Sequence, residues 1–209
     1  MKHGLRTIVL AGLLAIGTVA PAQTTLLAKV TTDHKLTPLE AAAAIVIGDA
    51  LGFKVDALVM SHKSSNDSFA VLGPAIVISK NTGHSLDYVL KNKPKGEGWG
   101  NVAKRMGMHP GTFNKMRAKG GSFENQCWMN MLYTKYRFPE SEYVRVQKQG
   151  LSDLEIVLAV VKSEGKREPL DKYVREIVAA KPKSSSSSNP PAAGKGAGGG
   201  KGKGKGGGH

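Results

Sequence analysis

Helix punctuation is the feature that most limits what this chain can fold into. Thr37-Pro38-Leu39-Glu40 supplies a capping hydroxyl, a proline for the first turn and a glutamate three residues after the threonine. A helix start needs these groups in that order. The hydroxyl takes an orphan amide of the first turn, the carboxylate reaches back to the cap, and proline has no amide to waste. Behind it Leu39, Ala42, Ala43, Val46, Ile47 and Ala50 recur at helical spacing, and Gly52 offers a left-handed stop. Ser152-x-x-Glu155 repeats the signal, with Leu151, Leu154, Leu158 and Val161 as its apolar stripe and Gly165 beyond it. Pro169 opens a helix holding Tyr173, Val174, Ile177 and Val178, and Pro139 does the same for Tyr143, Val144 and Val146.

Alternating apolar and polar residues joined by hairpin turns, the mark of a half-buried sheet, are missing. AVLGPAIVIS, residues 70–79, is the one run that suits a buried strand, and its isolation among helices argues against a sheet, because a strand needs partners. The expected class is all-α: short helices arranged as hairpins in a domain spanning 37–180, preceded by a linker over 23–36. Acidic residues shortly before Tyr88-Val89, Tyr143-Val144 and Tyr173-Val174 give a weak, unevenly spaced internal echo of that modular build.

Both ends read differently from the body. Lys2 and Arg6 precede an apolar run from Ile8 to Ala20, and Ala20-Pro21-Ala22 provides the small residues that a signal peptidase accepts. The pattern predicts a signal peptide over 1–22, cleavage before Gln23, and an exported protein in the periplasm or outside the cell. No later segment is long and apolar enough for a membrane span. From Lys181 to His209 the chain has no aromatic, branched aliphatic or acidic residue. Such a segment cannot bury enough apolar surface to offset its ordering entropy, so a disordered basic tail is expected.

The net charge of +14 divides accordingly. Of the 30 basic residues, two lie in the signal and six in the tail, which leaves 22 against all 16 acidic residues over 23–180, a net of +6. A moderately basic body with a strongly basic tail favours an anionic partner: nucleic acid, acidic polysaccharide or an anionic surface of the envelope.

Residues 98–120, GWGNVAKRMGMHPGTFNKMRAKG, carry the most specific local signal. Trp99 to Met106 fits one helix ended by Gly107, and His109-Pro110 starts a second. Val102 and Met106 share a face of the first helix, Phe113 and Met116 share a face of the second, and Met108 fills the turn. Small Ala103 lets the two approach closely. The set Ala103, Gly107 and Phe113 resembles the DNA-binding helix-turn-helix family. That resemblance implies a second helix in the major groove, with Thr112, Asn114, Lys115 and Arg117 as candidate base or phosphate contacts. Lys104, Arg105 and Lys119 extend the same basic surface. The stretch is also similar to the GWG…AK…G.HPG.FNK pattern of uncharacterised exported bacterial helical proteins, which implies the same compartment and no particular activity.

Catalytic and metal chemistry find no constellation. The histidines His3, His34, His62, His84, His109 and His209 show no metal-ligand spacing. Ser61-His62 and His84-Ser85 have no third partner for a hydrolytic triad, and Asp49 with Asp56, or Asp153 with Glu155, are more simply capping or solvated carboxylates. The glycine-rich tail lacks the strand and the Gly-Lys-Ser/Thr ending of a phosphate-binding loop. The single cysteine, Cys127, sits among apolar neighbours, which reads as a buried thiol. The expectation is a non-enzymatic binding protein without cofactor, engaging an anionic polymer or envelope surface. The alternative is a helix-turn-helix nucleic-acid binder.

Overall fold

The computed structural model describes residues 22–109, 112 and 121–181. Those residues form ten helices and no strand, so the chain is all-α. In order they are α1 (Ala22–His34), α2 (Pro38–Leu51), α3 (Val55–Ser65), α4 (Phe69–Thr82), α5 (Leu86–Lys91), α6 (Trp99–Arg105), α7 (Phe123–Tyr136), α8 (Glu140–Gln147), α9 (Asp153–Ser163) and α10 (Arg167–Ala180).

Helix α2 is the hub. It packs against α9, α7, α1, α4 and α3, while α10 lies along α9 and α5 along α4. All eight residues from Ala41 to Gly48 are buried, so this helix is enclosed on every side rather than along the single stripe that spacing predicts. Small side chains make that enclosure possible. Four consecutive alanines let neighbouring helices approach, and a Cβ built on Gly48 would lie 2.9 Å from the Phe53 carbonyl oxygen. The Thr37 start forms as the sequence predicts: Glu40 N donates to Thr37 Oγ1 at 3.3 Å, and Thr37 N donates to Glu40 Oε2 at 2.8 Å. Gly52 closes the helix at φ 79°.

The ambiguous run at 70–79 is helical, inside α4, with Pro74 in its interior. Seven residues of the run, including Gly73, Pro74 and Ile78, are buried, which removes the amphipathic rhythm that separates a helix from a strand in sequence. Trp128 of α7 packs against the gap at Gly73, where an added Cβ would meet Trp128 Cζ2 at 2.7 Å.

The segment 23–36, expected as a linker, is instead mostly α1. It buries Leu27 and Val30 against the hub. One of its first amides is served from far along the chain: Gln23 N donates to Glu164 Oε1 at 3.4 Å. The same device recurs at other helix ends. Trp99 N, at the start of α6, donates to Glu124 Oε1 at 3.4 Å, and Lys80 Nζ donates to the Leu51 carbonyl at the end of α2 at 2.7 Å. Helix α10 starts two residues before Pro169, at Arg167, and Pro139 is the cap rather than the first residue of α8.

Ser152 and Glu155 form the second capping box, and Lys181 joins it, donating to Glu155 Oε2 at 2.8 Å and to the Gly150 carbonyl at 2.6 Å. Burial by itself raises the Glu155 pKa, but Lys181, the Ser152 amide and the Ser152 hydroxyl outweigh it and hold the carboxyl below its ordinary value. A carboxyl depressed in the folded state stabilises at pH values above its unfolded pKa of about 4.3, and that contribution is lost as pH falls through the lower folded value. Glu155→Gln should therefore lower the thermal midpoint at neutral pH. The difference from the parent should close in the acid range, below about pH 4, when both are followed by circular dichroism.

Candidate polyanion-binding face

The first helix of the 98–120 stretch and its turn take the expected form. Helix α6 buries Trp99, Val102 and Ala103, and Met106 and Met108 are buried beyond it. Gly107 has φ 81°, and two bonds close the turn: Met108 N to the Ala103 carbonyl at 2.9 Å and Gly107 N to the Lys104 carbonyl at 3.0 Å. A left-handed glycine with this pair of bonds satisfies the last carbonyls of a short helix. Thr112 is helical and half-buried, its amide donating to the His109 carbonyl at 2.8 Å. Of the other candidates, Asn114, Lys115, Arg117 and Lys119, with Phe113 and Met116, lie outside the described residues.

Lys104 and Arg105 are both exposed, yet they are not equivalent. The Arg105 guanidinium donates to the Asn92 carbonyl at 2.8 Å and to Glu97 Oε2 at 2.7 Å. It therefore staples the loop 92–98 to the end of α6, and its charge is matched by Glu97. Lys104 makes no ion pair among the described residues. Sequence reading missed the contribution of the loop itself. Lys93 places its ammonium 5.2 Å from the centre of the Trp99 ring, and Lys95 is exposed without an ion pair among the described residues. The alternating lysines of Lys91-Asn92-Lys93-Pro94-Lys95 were the available signal; their position beside α6 depends on Arg105 folding the loop back. Lys91 itself is paired with Asp87 at 2.8 Å. The result is a cationic edge of half-buried Lys93, which lies over the buried Trp99 ring, with exposed Lys95 and Lys104, suited to phosphate, sulfate or carboxylate groups without selecting among them.

Other polar groups are used within the fold. His34 faces Asp56 at 3.1 Å, and His62 faces Glu40 at 3.6 Å while its Nδ1 lies 2.7 Å from the Asp67 carbonyl. Among the described residues no three His, Cys, Asp or Glu side chains gather in a way that could hold a metal ion. Cys127 is buried, and burial first, with Glu124 and Asp153 adding to it, pushes its thiol well above the ordinary value. It is neither exposed nor thiolate-like. An apolar cleft of about 250 Å³ opens between α3, α4 and α5, lined by Phe53, Ala57, Leu58, Ser61, Ile76, Ser79 and Leu86. Its two hydroxyls donate to the Ala57 and His84 carbonyls, so they are already committed.

No described helix is long and apolar enough to cross a membrane. No family model, curated protein or solved structure matches this chain.

Proposed function

We propose that this protein is exported and acts without catalysis, as a helical module that binds an anionic polymer or an anionic envelope surface through its basic body and tail. The observation that carries the reading is the charge layout. The tail holds six of the chain's lysines, and Lys181, the first of them, is fixed to the body at Gly150 and Glu155. The body adds the edge of Lys93, Lys95 and Lys104. Attraction of this kind is additive, salt-sensitive and indifferent to polymer identity.

The test compares the chain ending at Lys181 with the chain ending at His209, each titrated with duplex DNA and with heparin over a series of salt concentrations. Both polymers should bind the longer chain. Removing five lysines should flatten the log–log salt dependence for DNA by up to roughly 0.9 per lysine. Lys95→Glu with Lys104→Glu should weaken the remainder for both polymers alike. Binding to neither polymer at low salt sinks the proposal. A DNA sequence preference that survives loss of the tail and falls with Arg117→Ala replaces it with the helix-turn-helix reading.

A further inference from the structure

Glu164 occupies a costly position. It has φ 52° at the end of α9, a left-handed conformation that a helix end normally gives to glycine or asparagine, and Gly165 at φ 74° follows it. Its side chain then crosses to the other end of the described chain, accepting from Gln23 N at 3.4 Å and facing Lys166 Nζ at 3.6 Å. Beside that contact, Gln23 Oε1 and Thr24 Oγ1 are shielded from solvent without a hydrogen-bond partner. Tyr136 Oη is shielded and unpartnered too, and its Cβ would lie 3.1 Å from a Cβ added at Gly165. These shielded oxygens leave the patch with hydrogen-bonding capacity that the Gln23 amide does not use.

We propose that hydrolysis of the Ala22–Gln23 bond matures the chain, and that Glu164 is the built seat for the α-ammonium this creates on Gln23. The inference rests on the export reading for the cleavage, but its seat is a separate structural claim. A peptidase adds water across the bond. The C–N bond breaks, the hydroxyl oxygen goes to the Ala22 carbonyl carbon to give a carboxylate, and the nitrogen leaves as an ammonium with three N–H donors. Among the described residues the cut spares the core, because Ala22 is exposed and the first buried side chains are Leu27 and Val30. A free ammonium at the start of α1 faces the positive end of the helix dipole, and the Glu164 carboxylate supplies the compensating charge. Two further donors become available to the Gln23 and Thr24 oxygens. Protonated and held in this way, the amine is also restrained from attacking its own side-chain amide to close a lactam.

Two arms test this. The full chain is expressed in an export-competent bacterium and recovered from the envelope for N-terminal sequencing and intact mass. The expected product starts at Gln23 with a free amine; an uncut start at Met1 overturns the export reading, and a start at another residue, or loss of ammonia to a lactam, overturns the seat. Independently of export, a chain starting at Gln23 is released from a fusion by protease in vitro, and half of it is acetylated at the α-amine. Urea unfolding is then compared with and without Glu164→Gln. In the free-amine chain the substitution should raise the unfolding equilibrium constant about fivefold, the scale of a partly exposed charge at a helix end. In the acetylated chain the effect should be clearly smaller. Equal effects in the two chains mean that Glu164 serves only as a neutral amide's acceptor.

Discussion

Trp128→Ala is expected to destabilise the fold by about 3–5 kcal/mol, the range for emptying a buried aromatic site. The indole is 1 % exposed and packs against the backbone of α4 where Gly73 has no side chain. On the Gly73 side no side chain is present to fill the space, and backbone relaxes little. Against a total stability of about 5–15 kcal/mol such a loss brings the chain close to unfolding at ordinary temperature. Urea denaturation gives the value directly. The reciprocal change sharpens the test. Gly73→Ala should also destabilise, although alanine is the better helix former by about 1 kcal/mol, because its Cβ would meet the ring at 2.7 Å. The two substitutions share one contact, so the double variant should lose less than the sum of the singles. Additive losses would show that the ring and the glycine do not constrain each other.

Asp153→Ala is the second large effect, expected at about 3 kcal/mol because two donors lose a charged acceptor at once. Tyr143 Oη donates to Asp153 Oδ1 at 2.6 Å, and Asn125 Nδ2 donates to the same oxygen at 2.7 Å. Tyr143 is fully buried, so its hydroxyl would have no water to turn to. Burial, then the Asp153 charge, raises the phenol far above its ordinary range, so it remains a donor at every pH at which the protein folds. Asp153→Asn keeps an oxygen in place and should cost less. Tyr143→Phe removes only one donor and should fall between. Thermal unfolding of the three variants orders them, and equal losses for Asp153→Ala and Asp153→Asn would remove the hydrogen bonds from the account.

What the sequence reveals about this fold follows the range of each interaction. Thr37 with Glu40, and Ser152 with Glu155, are contacts between residues three apart, so their helix starts are legible without any tertiary knowledge. Gly52, Gly107 and Gly165 are equally local, since the left-handed turn they permit depends on their own backbone. For α1 the contact at its start is with Glu164, 141 residues away, which no local reading can supply. For α2 and α4 the difficulty is the opposite, because uniform burial erases the periodicity that would have defined their faces. In the candidate site, the buried set of Val102, Ala103, Met106 and Met108 could be read from spacing. The employment of Arg105 by Asn92 and Glu97 could not, because that partnership depends on how a loop of lysines and glycines turns back on α6.

The long-distance capping has a consequence for how this molecule comes apart. Helix ends usually fray alone, opening and closing without disturbing the rest. Here the start of α6 is held by a carboxylate of α7, the end of α2 by a lysine of α4, and the start of α1 by the residue that ends α9. Releasing any of these ends means parting two helices, so ends that would otherwise be loose share the fate of the layers they join. Short helices that would not persist by themselves thereby gain the persistence of the whole.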